Sequence, residues 1–241
     1  MLTKRWILTM KWISIWRRLL DFISPRTCVI CGRRLSATEE VICMKCHFHL
    51  PRTGFWLNPY DNEMAKSFWH LIPIERAAAY FYYEAHSDTA NMIYQLKYKD
   101  HPEVGVILGR MLAKEMQSAG FFEGIEGIVP VPLAKKRLRQ RGYNQSDAIA
   151  QGVSEITGLP VWTDVVRRVD FLESQTKKSR WSRAENVDQM FALNQIPEGT
   201  KYLLVVDDVV TTGATVTACA KQIAQNGGIK ISVLALGYTK R

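Results

Sequence analysis

Apolar positions along the chain follow three successive rhythms. Across 1–27, Trp6, Ile7, Leu8, Trp12, Ile13, Ile15, Trp16, Leu19, Leu20, Phe22 and Ile23 recur among cations, which predicts a basic amphipathic helix ending before Pro25. Residues 28–50 are too few to build a core without a staple. Residues 51–75, rich in aromatics, prolines and Asn, predict an irregular connector. From residue 76 the rhythm alternates between strand and helix. Strands are expected at Ala77–Tyr83, Gly127–Val131, Val161–Val166, Tyr202–Val206 and Ile229–Leu236. Helices are expected at Ser87–Tyr98, Glu103–Met116, Asn144–Thr157 and Gly213–Asn226, the third capped by Asn144 or Ser146. That alternation implies a parallel sheet covered by helices over 76–241. The apolar fraction, 47%, suits a chain that buries such a core.

The run Tyr202-Leu203-Leu204-Val205-Val206 suits a central strand buried on both faces. Asp207 and Asp208 follow at its carboxyl end, where open α/β sheets bind ligands. Val209, Val210, Thr211, Thr212, Gly213, Ala214 and Thr215 then lead into a helix. A turn opening onto a helix N-terminus offers backbone N–H donors and a favourable dipole to a phosphate. Threonine hydroxyls add donors, and Gly213 permits close backbone approach. Carboxylates beside a phosphate are repulsive unless they address ribose hydroxyls or a bound Mg²⁺. No lysine follows the glycine, which excludes a Walker loop. A phosphorylated ribose is the expected ligand.

Four of the five cysteines form two C-x-x-C pairs, Cys28/Cys31 and Cys43/Cys46, separated by eleven residues. Two such knuckles supply four thiolates for a tetrahedral Zn²⁺, a closed structural site. A redox dithiol is the rival. Cys219 reads as plain core, and Trp56, Phe68 and Trp69 as hydrophobic cover for the zinc module.

The formal charge of +9 raises the prospect of a polyanionic partner. Lys135, Lys136, Arg137, Arg139 and Arg141 form one cluster, fit either for phosphates or for a solvated loop. Lys97, at the end of a predicted helix, reads as a cation favouring the helix dipole. No secretory signal and no run of ~20 apolar residues is apparent, which predicts a cytoplasmic protein. The basic 1–27 helix either packs on the protein or lies on a membrane surface or partner, and Met10 is an alternative start.

The segment Leu204–Thr215 resembles the phosphoribosyl pyrophosphate (PRPP) signature of type I phosphoribosyltransferases. The run Arg139-Gln140-Arg141-Gly142-Tyr143-Asn144-Gln145, the stretch from Gln175 through Ser182-Arg183-Ala184-Glu185-Asn186-Val187, and the cysteine pairs narrow the resemblance to the ComF family, the phosphoribosyltransferase-like proteins associated with competence for DNA uptake. Trp181 and the Glu185-Asn186 spacing depart from the family pattern. The resemblance implies a five-stranded parallel sheet with a small hood. It implies that Asp207 and Asp208 face ribose hydroxyls as the catalytic acids, and that Val209 and Thr211–Thr215 hold the 5-phosphate. Lys135, Arg137 and Lys97 complete the PRPP site with Mg²⁺. Arg139, Arg141, Asn144, Gln145, Gln175 and Arg183 meet pyrophosphate or nucleic acid. Two functions follow as expectations: a PRPP-binding protein that handles single-stranded DNA during uptake, beside a membrane or helicase partner, or a transferase that passes phosphoribosyl to an acceptor.

Overall fold

The computed structural model describes residues 25–98, 101–169 and 190–240. Residues 1–24 of the predicted N-terminal helix, and the candidate residues Gln175 and Arg183, lie outside the described residues. The chain divides into one unit ending at Leu50 and a second spanning Pro51–Arg241.

In the first unit, Thr27 bridges Arg34 across the first cysteine pair, and Gly32 turns that knuckle with φ 70°. Helix α1 (Met44–Phe48) starts at the second pair, with the Cys43 sulfur accepting from the Cys46 N–H at its N-cap. Glu39 ties the two halves together by accepting from the Ser36 and Met44 N–H groups at 2.7 and 2.6 Å.

The second unit opens on a 3-10 turn, Phe55–Leu57, and α2 (Glu63–Lys66), in the segment expected to be irregular. Then come β1 (Ala77–Tyr82), α3 (Asp88–Tyr98), α4 (Pro102–Gln117), β2 (Gly127–Pro130), α5 (Lys135–Arg141), α6 (Gln145–Thr157), β3 (Val166–Arg168), β4 (Phe191–Leu193), β5 (Tyr202–Val210), α7 (Ala214–Ala224) and β6 (Lys230–Tyr238). Four strands pair in parallel in the order β1–β6–β5–β2. Leu203, Leu204, Val205 and Val206 are all fully buried, so both faces of β5 are covered. Helices α4 and α6 pack tightly on each other, α6 lies on β2 and β5, and α7 lies on β5 and β6. Among the described residues no helix is long and apolar enough to cross a membrane.

Three elements differ from the sequence expectation. The strand expected over Val161–Val166 is reduced to a single parallel bridge, Val161 to Ile128, so the fifth strand is vestigial. Trp162 lies across Gly127 there, and the chain turns away at Thr163–Asp164. It returns as β3, which pairs antiparallel with β4 to make the small hood. The basic cluster at 135–141 is a helix rather than a loop. Its good helix formers end at Gly142, whose left-handed backbone (φ 77°) lets its N–H reach the Leu138 carbonyl.

The 51–75 segment is part of the α/β unit. It covers the outer edge of β1, which would otherwise expose unpaired backbone groups. Tyr82 N–H donates to Pro51, Thr53 N–H to Tyr80, and Ala77 N–H to Pro59. Asn62 Nδ2 donates to the Ala77 carbonyl at 2.8 Å. Trp56 and Phe68 are buried within this unit, Trp56 against Tyr80 and Phe68 at the Gly213 turn. Arg52 clamps the segment to α4 through two-point bonding to Glu115 (2.9 Å from both Nε and Nη2), and the Tyr80 hydroxyl donates to the same carboxylate at 2.8 Å. Burial and the Glu115 charge push the Tyr80 hydroxyl well above its ordinary range, so it stays a donor. Glu115→Ala strands both donors at a site about one-quarter exposed, and we expect a loss of about 2 kcal/mol, between the surface and buried extremes. Urea unfolding measures it. A loss below ~0.5 kcal/mol would mean that water replaces the carboxylate.

Candidate functional site

The register of the sheet creates the site. Strand β2 ends at Pro130 opposite Val206, and the Val131 N–H closes the pairing on the Val206 carbonyl. Strand β5 continues beside β6 to Val210, with Asp207 opposite Ala235 and Val209 opposite Gly237. Past Val206, then, β5 is paired on one side only, and its two acids stand at the lip of a cavity.

That cavity holds about 440 Å³. Asp207 and Asp208 line it together with Val209, Thr211 and Thr215 from the turn before α7. Thr212, Gly213 and Ala214 complete the turn without lining the cavity. Gly213 is required there: its φ is 77°, and a Cβ would stand 2.9 Å from the Phe68 ring. Lys97, Arg137, Arg141 and Arg168 also line the cavity, so four cations meet two carboxylates. Arg137 and Arg141 are four residues apart on α5 and share one face. Lys135 and Arg139, the other candidates on α5, do not line the cavity.

Hydrogen bonds fix the site from several directions. Lys97, at the end of α3, bonds Asp208 Oδ2 at 3.0 Å, which settles its orientation towards the acids rather than the helix dipole alone. Asp207 Oδ1 accepts from the Ser146 hydroxyl at 3.1 Å and from the Asp208 N–H at 2.9 Å. Burial, then the adjacent Asp208 charge, holds the Asp207 carboxyl well above the ordinary carboxylate range. Asn144 caps α6 and donates through Nδ2 to the Val131 carbonyl at 3.1 Å and to Asp147 at 2.6 Å. Burial outweighs that bond and raises the Asp147 carboxyl to about 6. Gln145 Oε1 accepts from Arg141 at 2.7 Å, and the Arg141 guanidinium lies 5.4 Å over the Tyr98 ring. The Tyr143 hydroxyl donates to the Leu96 carbonyl, so this tyrosine is a tether between α3 and α6.

Outside the 131–137 run, which the resemblance implies for the pyrophosphate, sequence reasoning missed four cavity residues: Tyr83, Ser146 as an acid partner, Arg168 and Met190. Arg168 and Met190 come from the hood, whose pairing across 166–193 leaves no local signal. Ser146 was legible only as a helix cap.

In the first unit the sulfurs of Cys28, Cys31, Cys43 and Cys46 lie within 4.8 Å of one another, and Cys31 and Cys43 approach to 3.8 Å. Zn–S bonds of about 2.3 Å in a tetrahedron put sulfurs about 3.8 Å apart, so the four thiols are placed to hold one metal ion. Backbone donors face the sulfurs: Cys43 N–H to Cys28 at 3.4 Å and Cys46 N–H to Cys43 at 3.5 Å. Burial opposes ionisation of the Cys43 thiol, but the Cys46 N–H and the neighbouring thiols that bond to its sulfur prevail and lower it.

The fold and the cavity define a parallel α/β protein with an acid pair and a cation-rich pocket at the carboxyl end of its sheet, joined to a four-cysteine module. No family profile matches the chain. It is 29% identical over 220 residues to the DNA utilization protein YhgH of Escherichia coli, covering 88% of this chain and 90% of that one. It is 35% identical over 115 residues to competence protein F of Haemophilus influenzae, covering 46% of this chain and 49% of that protein. The glutamine PRPP amidotransferase of B. subtilis, solved with ADP and GMP, superposes with a TM-score of 0.40 at 19% identity, over 58% of this chain and 30% of the amidotransferase. These relatives, named for DNA utilization and competence, support a ComF-family protein.

Proposed function

We propose that the cavity at the end of β5 binds the ribose phosphate of PRPP, and that the protein handles single-stranded DNA taken into the cytoplasm. One observation carries the first half: Asp207 and Asp208 share a cavity with Thr211, Thr215 and four cations. The carboxylates suit ribose hydroxyls, the threonine turn suits the 5-phosphate, and Arg137 and Arg141 suit the pyrophosphate. Carboxylate oxygens are also the donors that Mg²⁺ takes, and an Mg²⁺ held between Asp207, Asp208 and the pyrophosphate would offset negative charge. Zn²⁺ is the ion proposed for the four thiolates, where it supplies folding free energy that the small module lacks. The second half rests on the names of the relatives and on the +9 charge. Lys135, Lys136 and Arg139 are exposed on α5. Binding of single strands through them weakens steeply with added salt.

A transferase reading is favoured by the same juxtaposition. Cations that hold a departing pyrophosphate, beside carboxylates that stabilise a developing ribosyl cation, are what transfer to an acceptor requires. Release of pyrophosphate from PRPP in the presence of an acceptor distinguishes it.

Calorimetric titration of PRPP with Mg²⁺ into wild type and the Asp207→Ala/Asp208→Ala variant tests the site. Saturable binding in the wild type and at least tenfold weaker binding in the variant is expected. The variant stays folded, because removing two crowded carboxylates relieves repulsion and burial. Equal binding by both proteins, or none by the wild type, ends the ribose-phosphate reading.

A further inference from the structure

Beside the cavity a second depression of about 490 Å³ runs along α3, and the two share Tyr83 and Lys97 as a common wall. Its floor carries two tyrosines one helical turn apart. The Tyr94 and Tyr98 rings lie 5.0 Å apart at 38° and remain 53% and 61% exposed. Large aromatic side chains at that exposure are not covering a core. Arg141 is held over Tyr98 by its bond to Gln145, and it lines the cavity as well, so a planar cation joins the aromatic pair to the pocket. The acid in the depression, Asp88, sits at the opposite end of α3, ten residues or about 15 Å from Tyr98.

We infer that Tyr94 and Tyr98 form a stacking platform for the bases of single-stranded DNA, with Arg141 and the exposed cations of α5 taking the adjoining phosphates. The inference rests on the proposal that the chain handles single-stranded DNA, and it places that strand on α3 and α5. Flat π faces beside a basic track are the combination by which proteins hold single strands without reading sequence. A duplex does not offer its base faces to such a platform. An open depression with exposed rings suits one base of a polymer better than an enclosed small ligand, whose site buries most of its surface.

The test uses the full-length protein and fluorescence anisotropy with a labelled oligothymidylate and with a strand of the same length made of abasic deoxyribose phosphate. Tyr94→Ala/Tyr98→Ala should weaken oligothymidylate about tenfold or more and leave the abasic strand within about twofold. Tyr94→Phe/Tyr98→Phe keeps the rings and should restore wild-type binding. Equal weakening of both strands, or unchanged binding in the alanine variant, would overturn the platform. PRPP titrated into the alanine variant keeps the two proposals apart. Intact PRPP binding with lost strand binding is expected. A wild type that binds PRPP but no strand sinks this inference alone, and one that binds the strand but no PRPP sinks the ribose-phosphate reading alone.

Discussion

Replacing Cys43 with serine is expected to empty the four-cysteine centre and unfold residues 25–50. The unit described over those residues has few buried apolar side chains, among them Ile30, Leu35, Val41, Ile42 and Leu50. A set that small does not offset the conformational entropy of ordering the chain, of the order of 1–2 kcal/mol per residue. Zinc bound by four thiolates contributes about 10–16 kcal/mol in comparable modules, which decides the balance. Cys43 is the most sensitive position: it is fully buried, its N–H donates to Cys28, and its sulfur caps α1. A serine hydroxyl there neither ionises near neutral pH nor reaches the Zn–S distance. Metal analysis by mass spectrometry should find one equivalent of zinc in the wild type and under a tenth of that in the variant. Limited proteolysis should then cut within 25–50 while a fragment containing 51–240, which has its own core, persists. Cys219→Ala, in the buried face of α7 and outside the cluster, should keep its metal. A wild type without bound metal, or a metal-free variant with full protection of 25–50, would show that the staple is something else.

The cysteine spacing made that centre legible because ligand geometry is local: two knuckles fix four sulfurs almost regardless of the surrounding fold. The same holds for β5, whose apolar run can only be a buried strand. The continuation of β5 through Asp207 and Asp208 was not legible, since charged residues end strands in most settings. Here β6 offers Ala235 and Gly237 opposite, and the partner on the other side has already stopped. The helix at 135–141 carries a readable signal in Gly142, the residue type that ends a run of good helix formers at a C-cap. The residues that close the cavity from the hood carried none. Arg168 and Met190 meet the acids only because β3 and β4 pair over more than twenty intervening positions, and pairing at that separation has no periodicity to reveal it. The family resemblance alone implies Lys97 for the site. Its 3.0 Å bond to Asp208 supplies the physical reason the resemblance lacked.

Gly152→Ala is expected to destabilise the protein by about 3 kcal/mol, although the substitution normally strengthens a helix. Alanine is favoured over glycine by about 1 kcal/mol in a helix interior. Against that stands the seam between α4 and α6, built on glycines at close backbone approach. A Cβ on Gly152 would lie 2.0 Å from the Val106 carbonyl oxygen, 2.8 Å from its carbon and 2.9 Å from the Arg110 nitrogen. The reverse side is as tight, with a Cβ on Gly109 falling 2.3 Å from the Ile149 carbonyl oxygen. All of these neighbours are backbone, so no rotamer change relieves the overlap, and the helices must separate by more than ~1 Å. Overpacking of a close-packed core costs about 1–3 kcal/mol, and more where backbone has to move. The repulsion therefore outweighs the gain in propensity. In a chain of this size 3 kcal/mol lowers the melting temperature by roughly 6–12 °C. Displacing α6 also moves its first turn, where Asn144 holds the Val131 carbonyl and Ser146 holds Asp207, so PRPP affinity should fall together with stability. Gln151→Ala, at the exposed neighbouring position of the same helix, should change stability by less than ~0.5 kcal/mol. Thermal melts of the two variants decide the matter: a Gly152→Ala protein that melts at or above the wild type would mean that the α4–α6 seam yields to a methyl group, and that the position of the acid partners does not depend on it.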